Sequence, residues 1–205
     1  VVPSRGGAAR LPGLLRALEA QTHRNFDVVV VLDGDIDGSA EVLAGFGHLP
    51  LTTIVFPENR GRVAALNAGF AAAHGEVLIR ADDDFEPAPH HIAAHVAAHS
   101  GDPVGAVGLP LNVAPDSPYL RAYGADADRR FRDYAQSLPA EERWRLWGGN
   151  VSVTRATYDR LGGYDTSYSG YGWEDVDFGY RLHRLGLPVV LIPDADVIHH
   201  MAAVT

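Results

Sequence analysis

Cysteine is absent from the chain, which excludes disulfides and thiol chemistry and fits a reducing compartment. No run approaches the ~18 consecutive apolar residues of a membrane-spanning helix, and no signal peptide is visible. The expected location is therefore cytoplasmic, with any membrane association left to segments outside this sequence. Positive charge is scarce: the formal net charge is −9. That balance argues against nucleic acid or an anionic membrane as the main partner. An anionic small molecule would have to be drawn by local cations or by a metal ion. A Gly-x-Gly-x-x-Gly fingerprint is also missing. Arg5-Gly6-Gly7 stands after the first strand, which speaks against a dehydrogenase.

What is present is ordinary for a globular protein. The 205 residues are 46% hydrophobic and 21% charged, enough for one domain over 1–205 with a full core. The first half alternates strand and helix patterns. Val1-Val2-Pro3 reads as the tail of a strand. Residues 9–21 read as a helix with Leu11, Leu14, Leu15 and Leu18 on one face. Residues 27–32 form a β-branched run typical of a strand buried on both faces. Helices over 39–46, 61–73 and 89–99 and strands over 51–56 and 76–81 complete the rhythm. It predicts an α/β fold with a mostly parallel, Rossmann-like central sheet and helices on both faces. Ligands in such sheets bind beyond the C-terminal ends of the strands.

The second half is less regular. Residues 104–113 read as one bent strand, 117–145 as a polar, Arg-rich stretch of helix or mobile chain, and 151–153 as a short strand. Helices over 156–161 and 174–185 and a strand over 189–192 follow.

The strand over 76–81 delivers Asp82, Asp83 and Asp84. Carboxylates suit Mg²⁺ or Mn²⁺, which leave coordination sites open for phosphate oxygens. In an extended loop Asp82 and Asp84 point the same way and Asp83 the other. Asp33 ends a central strand and can accept a hydrogen bond from an imide N–H, while Gly34 and Gly38 permit the turn. Arg62 adds charge at the start of a helix whose N-terminus can face phosphates. Glu174 and Asp175 open another helix, flanked by Tyr171 and Trp173. An ionised Asp there can take a proton from a hydroxyl, and flat aromatic rings suit a sugar face. His199 supplies a further metal ligand. His91, His95 and His99 share one helical face, but no Cys or nearby Glu completes a tetrahedron, and a solvated face is the expected role.

In order and spacing these motifs resemble the inverting glycosyltransferases of family 2, over nearly the whole chain. Asp33-Gly34-Asp35-Ile36-Asp37-Gly38-Ser39 is similar to the family's Asp-Gly-Ser-Thr-Asp-Gly-Ser loop. Residues 59–69 resemble its Asn-x-Gly…Asn-x-Gly segment, and Asp82-Asp83-Asp84 its Asp-x-Asp clamp. Trp147-Gly148-Gly149-Asn150, Gly162-Gly163-Tyr164-Asp165 and Gly172-Trp173-Glu174-Asp175 are similar to the acceptor half of the galactosyl- and N-acetylgalactosaminyl-transferring branch. The resemblance implies a GT-A fold, with 1–100 binding the nucleotide sugar and 101–205 the acceptor. It implies Asp175 as catalytic base and Glu174 as a hold on the acceptor. Pro3, Ser4, Arg5, Asp33, Asn59, Arg62, Asp82 and Asp83 would face the donor, expected to be a UDP-sugar. Asp82, Asp84 and His199 would bind Mn²⁺ or Mg²⁺, and Trp147, Gly148, Gly149 and Trp173 would face the acceptor, a carbohydrate or other hydroxyl compound. Leu32, at a position often acidic in the family, and the start Ser4-Arg5-Gly6-Gly7 depart from the pattern. A non-catalytic sugar-nucleotide-binding domain on the same fold is the alternative.

Overall fold

The computed structural model describes residues 1–113, 118–169 and 172–201. Strand β1 (Val2–Ser4) lies beside β2 (Val28–Leu32), which lies beside β3 (Leu51–Val55), all parallel. A second sheet has the order β4-β8-β6-β9, built from Val77–Arg80, Val151–Thr154, Gly105–Val107 and Val189–Leu191. The Val1 amino group donates to Ile79 O at 2.7 Å, and Ala81 N donates to Val1 O at 3.1 Å. These two bonds carry the first sheet into the second. The joined sheet is parallel except at β8, which runs against both β4 and β6.

The β2 run shows no alternation because both of its faces are covered. Val28, Val30 and Leu32 pack with α1 (Leu11–Glu19) and α2 (Ser39–Ala44). Val29 and Val31 pack with α3 (Arg62–Ala72). The expectation of helices on both faces is met, and the end of β2 is fixed from two sides.

The bent strand expected over 104–113 is two strands. β6 belongs to the main sheet. β7 (Pro110–Val113) joins a small third sheet with β10 (Val197–His200) and β5 (Phe85–Pro87). The break falls at Gly108, where a Cβ would stand 2.1 Å from Ala195 O. The backbone there passes too close to its neighbour to carry a side chain. In this third sheet β10 pairs antiparallel with β5 and parallel with β7, which sets His199 beside the acidic loop.

The Arg-rich stretch contains helix α5 (Pro118–Ser137), followed by a 3-10 helix, Ala140–Leu146. Arg132 ties α5 to Asp196 at 2.7 Å. Helix α4 (His91–Ala98) differs from expectation in what its face meets. His91 and His95 are fully buried rather than solvated. They point at β8, where Asn150 Oδ1 lies 2.8 Å from His91 Nε2 and 3.0 Å from His95 Nε2. Ser152 Oγ lies 2.8 Å from His95 Nδ1 and from His99 Nε2. Burial lowers the pKa of His91 to about 4 and holds that of His95 well below its ordinary value, so both imidazoles are neutral.

Candidate active site

A cleft of about 400 Å³ opens beyond the C-terminal ends of β1, β2 and β4, where parallel sheets place their ligands. Pro3, Ser4, Arg5, Asp33, Asn59 and Arg62 line it on one side and the three aspartates on the other. A larger hollow of about 630 Å³ elsewhere, near Val1, Phe26 and Ile92, contains none of Asp33, Asp82 or Asp84; Glu174 and Asp175 line neither space and reach the cleft's edge through Arg62 and Arg80. The aspartate loop and Arg62 gather at the smaller space.

The aspartates divide their work. Asp83 accepts from Ser4 Oγ at 2.5 Å and from Arg10 Nε and Nη2 at 2.9 Å each. Both of its oxygens are spent on fixing the loop to α1's approach. Asp82 Oδ1 accepts from Arg80 Nε and Nη2 at 3.1 Å each, and Arg62 Nη1 lies 3.4 Å from Asp82 Oδ2. Burial works against its charge, but Arg80 and Arg62 outweigh it and the pKa is lowered. Asp84 Oδ2 stands 3.3 Å from His199 Nε2, while Asp84 Oδ1 is buried with no protein partner.

The imidazole of His199 is oriented from behind. Asn112 donates its Nδ2 to Asp128 Oδ1 at 2.8 Å, which turns Asn112 Oδ1 toward His199 Nδ1, also at 2.8 Å. That second contact leaves Nε2 for the Asp84 side. The pKa of His199 is raised, first by its hydrogen bond to Asp84. Among the described residues no three His, Asp or Glu side chains are already gathered as a cation site. The Asp84–His199 pair still suits a hard cation: a carboxylate with an orphaned buried oxygen and an imidazole held by a second shell.

Asp33 uses its carboxylate locally. Oδ1 accepts from Arg60 N at 2.6 Å and Oδ2 from Gly61 N at 3.0 Å, at the start of α3. Arg5 Nη1 donates to Asp33 O at 2.5 Å. Asp33 thus holds the turn that aims α3 at the cleft.

Glu174 and Asp175 open α7 (Trp173–Arg184). Asp175 Oδ1 accepts from Arg80 Nη1. Burial lifts the pKa of Asp175, against the pull of Arg80 and with the help of Glu174 and Asp82. Glu174 is buried; its Oε2 accepts from Gly172 N at 2.8 Å, and its Oε1 has no hydrogen-bond partner but lies 3.9 Å from Arg62 Nε. Arg80 and Arg62 therefore each join Asp82 of the aspartate loop to an acid that opens α7.

Two acceptor expectations separate in the structure. Trp173 is 70% exposed, so its ring is open to a ligand. Trp147 is buried, stacks on Phe178 with centroids 5.2 Å apart, and donates its Nε1 to Tyr164 OH at 3.2 Å. Trp147 is core and offers no face to a sugar, which corrects its place among the acceptor residues. Gly149 lies against Asp82, where a Cβ would meet Asp82 Oδ2 at 2.6 Å. Tyr171 falls outside the described residues. Arg80 joins these acids without having been singled out in the sequence, and Tyr164, quoted there only as part of the Gly162-Gly163-Tyr164-Asp165 motif, lies against it. The available signal was an arginine closing the apolar strand Val77-Leu78-Ile79-Arg80.

Asn67 of α3 ties the halves together. Its Nδ2 donates to Tyr164 O at 2.8 Å, while its Oδ1 accepts from Tyr164 N at 2.9 Å and Tyr158 OH at 2.8 Å.

A parallel sheet with an acidic loop at its strand ends and a second acidic pair on a facing helix defines a GT-A fold. Solved structures agree. The mannosyltransferase PcManGT from Pyrobaculum calidifontis, in complex with GDP-Man and Mn²⁺, superposes with a TM-score of 0.75 at 23% identity, covering 97% of this chain and 55% of that one. GalNAc-T7, solved with UDP, GalNAc and Mn²⁺, superposes with a TM-score of 0.79 at 18% identity, covering 98% and 43%. The sequence profile of Glycosyl transferase family 2 matches residues 1–159, and the chain belongs to that family. The profile described as the N-terminal domain of galactosyltransferase matches residues 130–202. Validoxylamine A glucosyltransferase of Streptomyces hygroscopicus subsp. jinggangensis is 30% identical, over 93% of this chain and 52% of its own length. An undecaprenyl-phosphate 4-deoxy-4-formamido-L-arabinose transferase of Pseudomonas savastanoi pv. phaseolicola is 37% identical, over 86% and 48%. The chain thus spans about half the length of these curated relatives.

Proposed function

We propose that this chain is the catalytic domain of a metal-dependent inverting glycosyltransferase. It would move a sugar from a nucleoside diphosphate, with uridine diphosphate the expected carrier, to an acceptor hydroxyl. One observation carries the reading: Asp82 shares Arg80 with Asp175 and Arg62 with Glu174, so acids from distant parts of the chain converge.

The donor would lie along Pro3, Ser4, Arg5 and Asn59. Arg62 and the N-terminus of α3 favour its diphosphate by fixed charge and helix dipole. Asp84, His199 and Asp82 would hold Mn²⁺ or Mg²⁺, in keeping with the Mn²⁺ named in two structural neighbours. A bound divalent cation supplies charge neutralisation for the departing diphosphate. Asp175, ionised, takes the proton of the acceptor hydroxyl as its oxygen forms a bond to the anomeric carbon and the diphosphate leaves from the opposite face. Its burial-raised pKa makes it a better base than a solvated carboxylate. Glu174, oriented by Gly172 N, holds a second acceptor hydroxyl, and Trp173 offers a ring to the sugar face.

Asp175→Asn should lower kcat by about 10²–10⁴ while calorimetric donor affinity stays at the wild-type value. Turnover at the wild-type rate would remove Asp175 from the role. Asp84→Ala should abolish the Mn²⁺ dependence of UDP binding, measured by calorimetry with and without the ion. An unchanged metal response would exclude Asp84 as a ligand.

A further inference from the structure

Arg80 is fully enclosed, yet it carries a charge. Burial opposes that charge, and Asp82, Tyr164 and Asp175 outweigh the opposition. The guanidinium is a planar fork of donors with no acceptor, so fixing its plane fixes whatever accepts from it. Its Nε and Nη2 edge is committed to Asp82 at 3.1 Å on both bonds. Its Nη1 donates to Asp175 and lies 3.5 Å from Tyr164 OH, which itself receives Trp147 Nε1 at 3.2 Å. Arg80 closes β4, which is hydrogen-bonded to strands on both sides within the joined sheet, whereas Asp175 sits in the first turn of α7. The sheet is the firmer support.

We propose that Arg80 is a positioning residue for Asp175. It takes its own orientation from Asp82 and Tyr164 and passes it to the Asp175 carboxylate, so that the acid is aimed from the donor side of the cleft. The inference rests on Asp175 serving as the base. It assigns that base a partner 95 residues earlier in the chain.

The test is a double-mutant cycle between Arg80→Lys and Asp175→Asn. Lysine keeps the positive charge, but one ammonium cannot span two carboxylates as the fork does. Turnover is followed as nucleoside diphosphate released from UDP-glucose, UDP-N-acetylgalactosamine and GDP-mannose with Mn²⁺ and a panel of simple glycoside acceptors. Arg80→Lys should lower kcat by about tenfold or more, and any rise in donor KM, which would come through Asp82, should be the same in the wild-type and Asp175→Asn backgrounds. The loss should vanish in the Asp175→Asn background, because residues acting as a unit are non-additive. Full kcat in Arg80→Lys, or an equal loss in both backgrounds, would overturn the proposal and leave the base assignment standing. Full turnover in Asp175→Asn alone would remove the base assignment, and this proposal with it. If Arg80→Lys does not fold, Tyr164→Phe replaces it. That change removes the hydroxyl beside the guanidinium, keeps the ring packing and leaves both Arg80–Asp82 bonds in place, so kcat should fall while the donor KM stays within about threefold.

Discussion

At position 149 the cleft leaves no room for a methyl group. An added Cβ would stand 2.6 Å from Asp82 Oδ2, 2.8 Å from Asp82 Cγ and 3.0 Å from Phe85 Cζ. Asp82 cannot swing aside cheaply, because Arg80 grips its other oxygen through two bonds. Gly149→Ala should therefore misplace Asp82 and weaken binding of UDP with Mn²⁺ by about tenfold, or about 1.4 kcal/mol, as read by calorimetry. Wild-type affinity would show that Asp82 takes no part in holding the nucleotide. The same crowding recurs at Gly7, where a Cβ would come within 2.6 Å of Asp83 Oδ2. Two of the three aspartates are thus seated against glycine backbone, which gives their carboxylates little freedom.

Helix α4 makes a prediction about acid. His91 and His95 are neutral in the fold and bonded to Asn150 and Ser152 of the β8 segment. Below pH 6.5 the unfolded chain takes up protons that the folded chain refuses. Stability held above pH 6.5 is therefore lost as the pH falls toward 4. For His91 the gap between 6.5 and about 4 amounts to about 3 kcal/mol. Urea unfolding between pH 7 and pH 4.5 should show a steeper loss for the wild type than for His91→Gln. Parallel losses would mean that His91 titrates normally. The sequence places these histidines on one face but not against β8, because helical spacing reveals a shared direction and not its destination. The same limit runs through the rest of the molecule. The β2 run, the leucine face of α1 and the aspartate loop are legible because local pattern determines them. The division of 104–113 into two strands is not, because its cause is Ala195 O, far along the chain. Nor is the role of Arg80, whose partners Tyr164 and Asp175 lie 84 and 95 residues away. Candidate acids and Arg62 can be read from residue type and order; Arg80, the buried cation between two of the acids, emerges only when the chain closes.

One large core is shared between residues of the first hundred and residues of the rest of the chain. Val63, Leu66 and Phe70 of α3 lie in the same cluster as Trp147, Tyr158 and Phe178. Neither half can unfold without exposing apolar surface of the other, so thermal unfolding should be a single transition. All three tryptophans, Trp144, Trp147 and Trp173, fall in the second half, while β1 to β4 and α1 to α4 belong to the first. Tryptophan fluorescence and far-UV circular dichroism should report the same midpoint. Separate midpoints would mean that 1–100 and 101–205 are independent units.

Asn67 stands at the joint, using both ends of its amide as a short length of backbone would. Hydrolysis of that single amide would change almost nothing in shape, but it would set a carboxylate against the Tyr164 carbonyl in place of a donor. Slow chemical ageing at one helical asparagine would therefore unseat Tyr164, and through Arg80 the damage would reach Asp82 in the cleft without touching any residue that lines it.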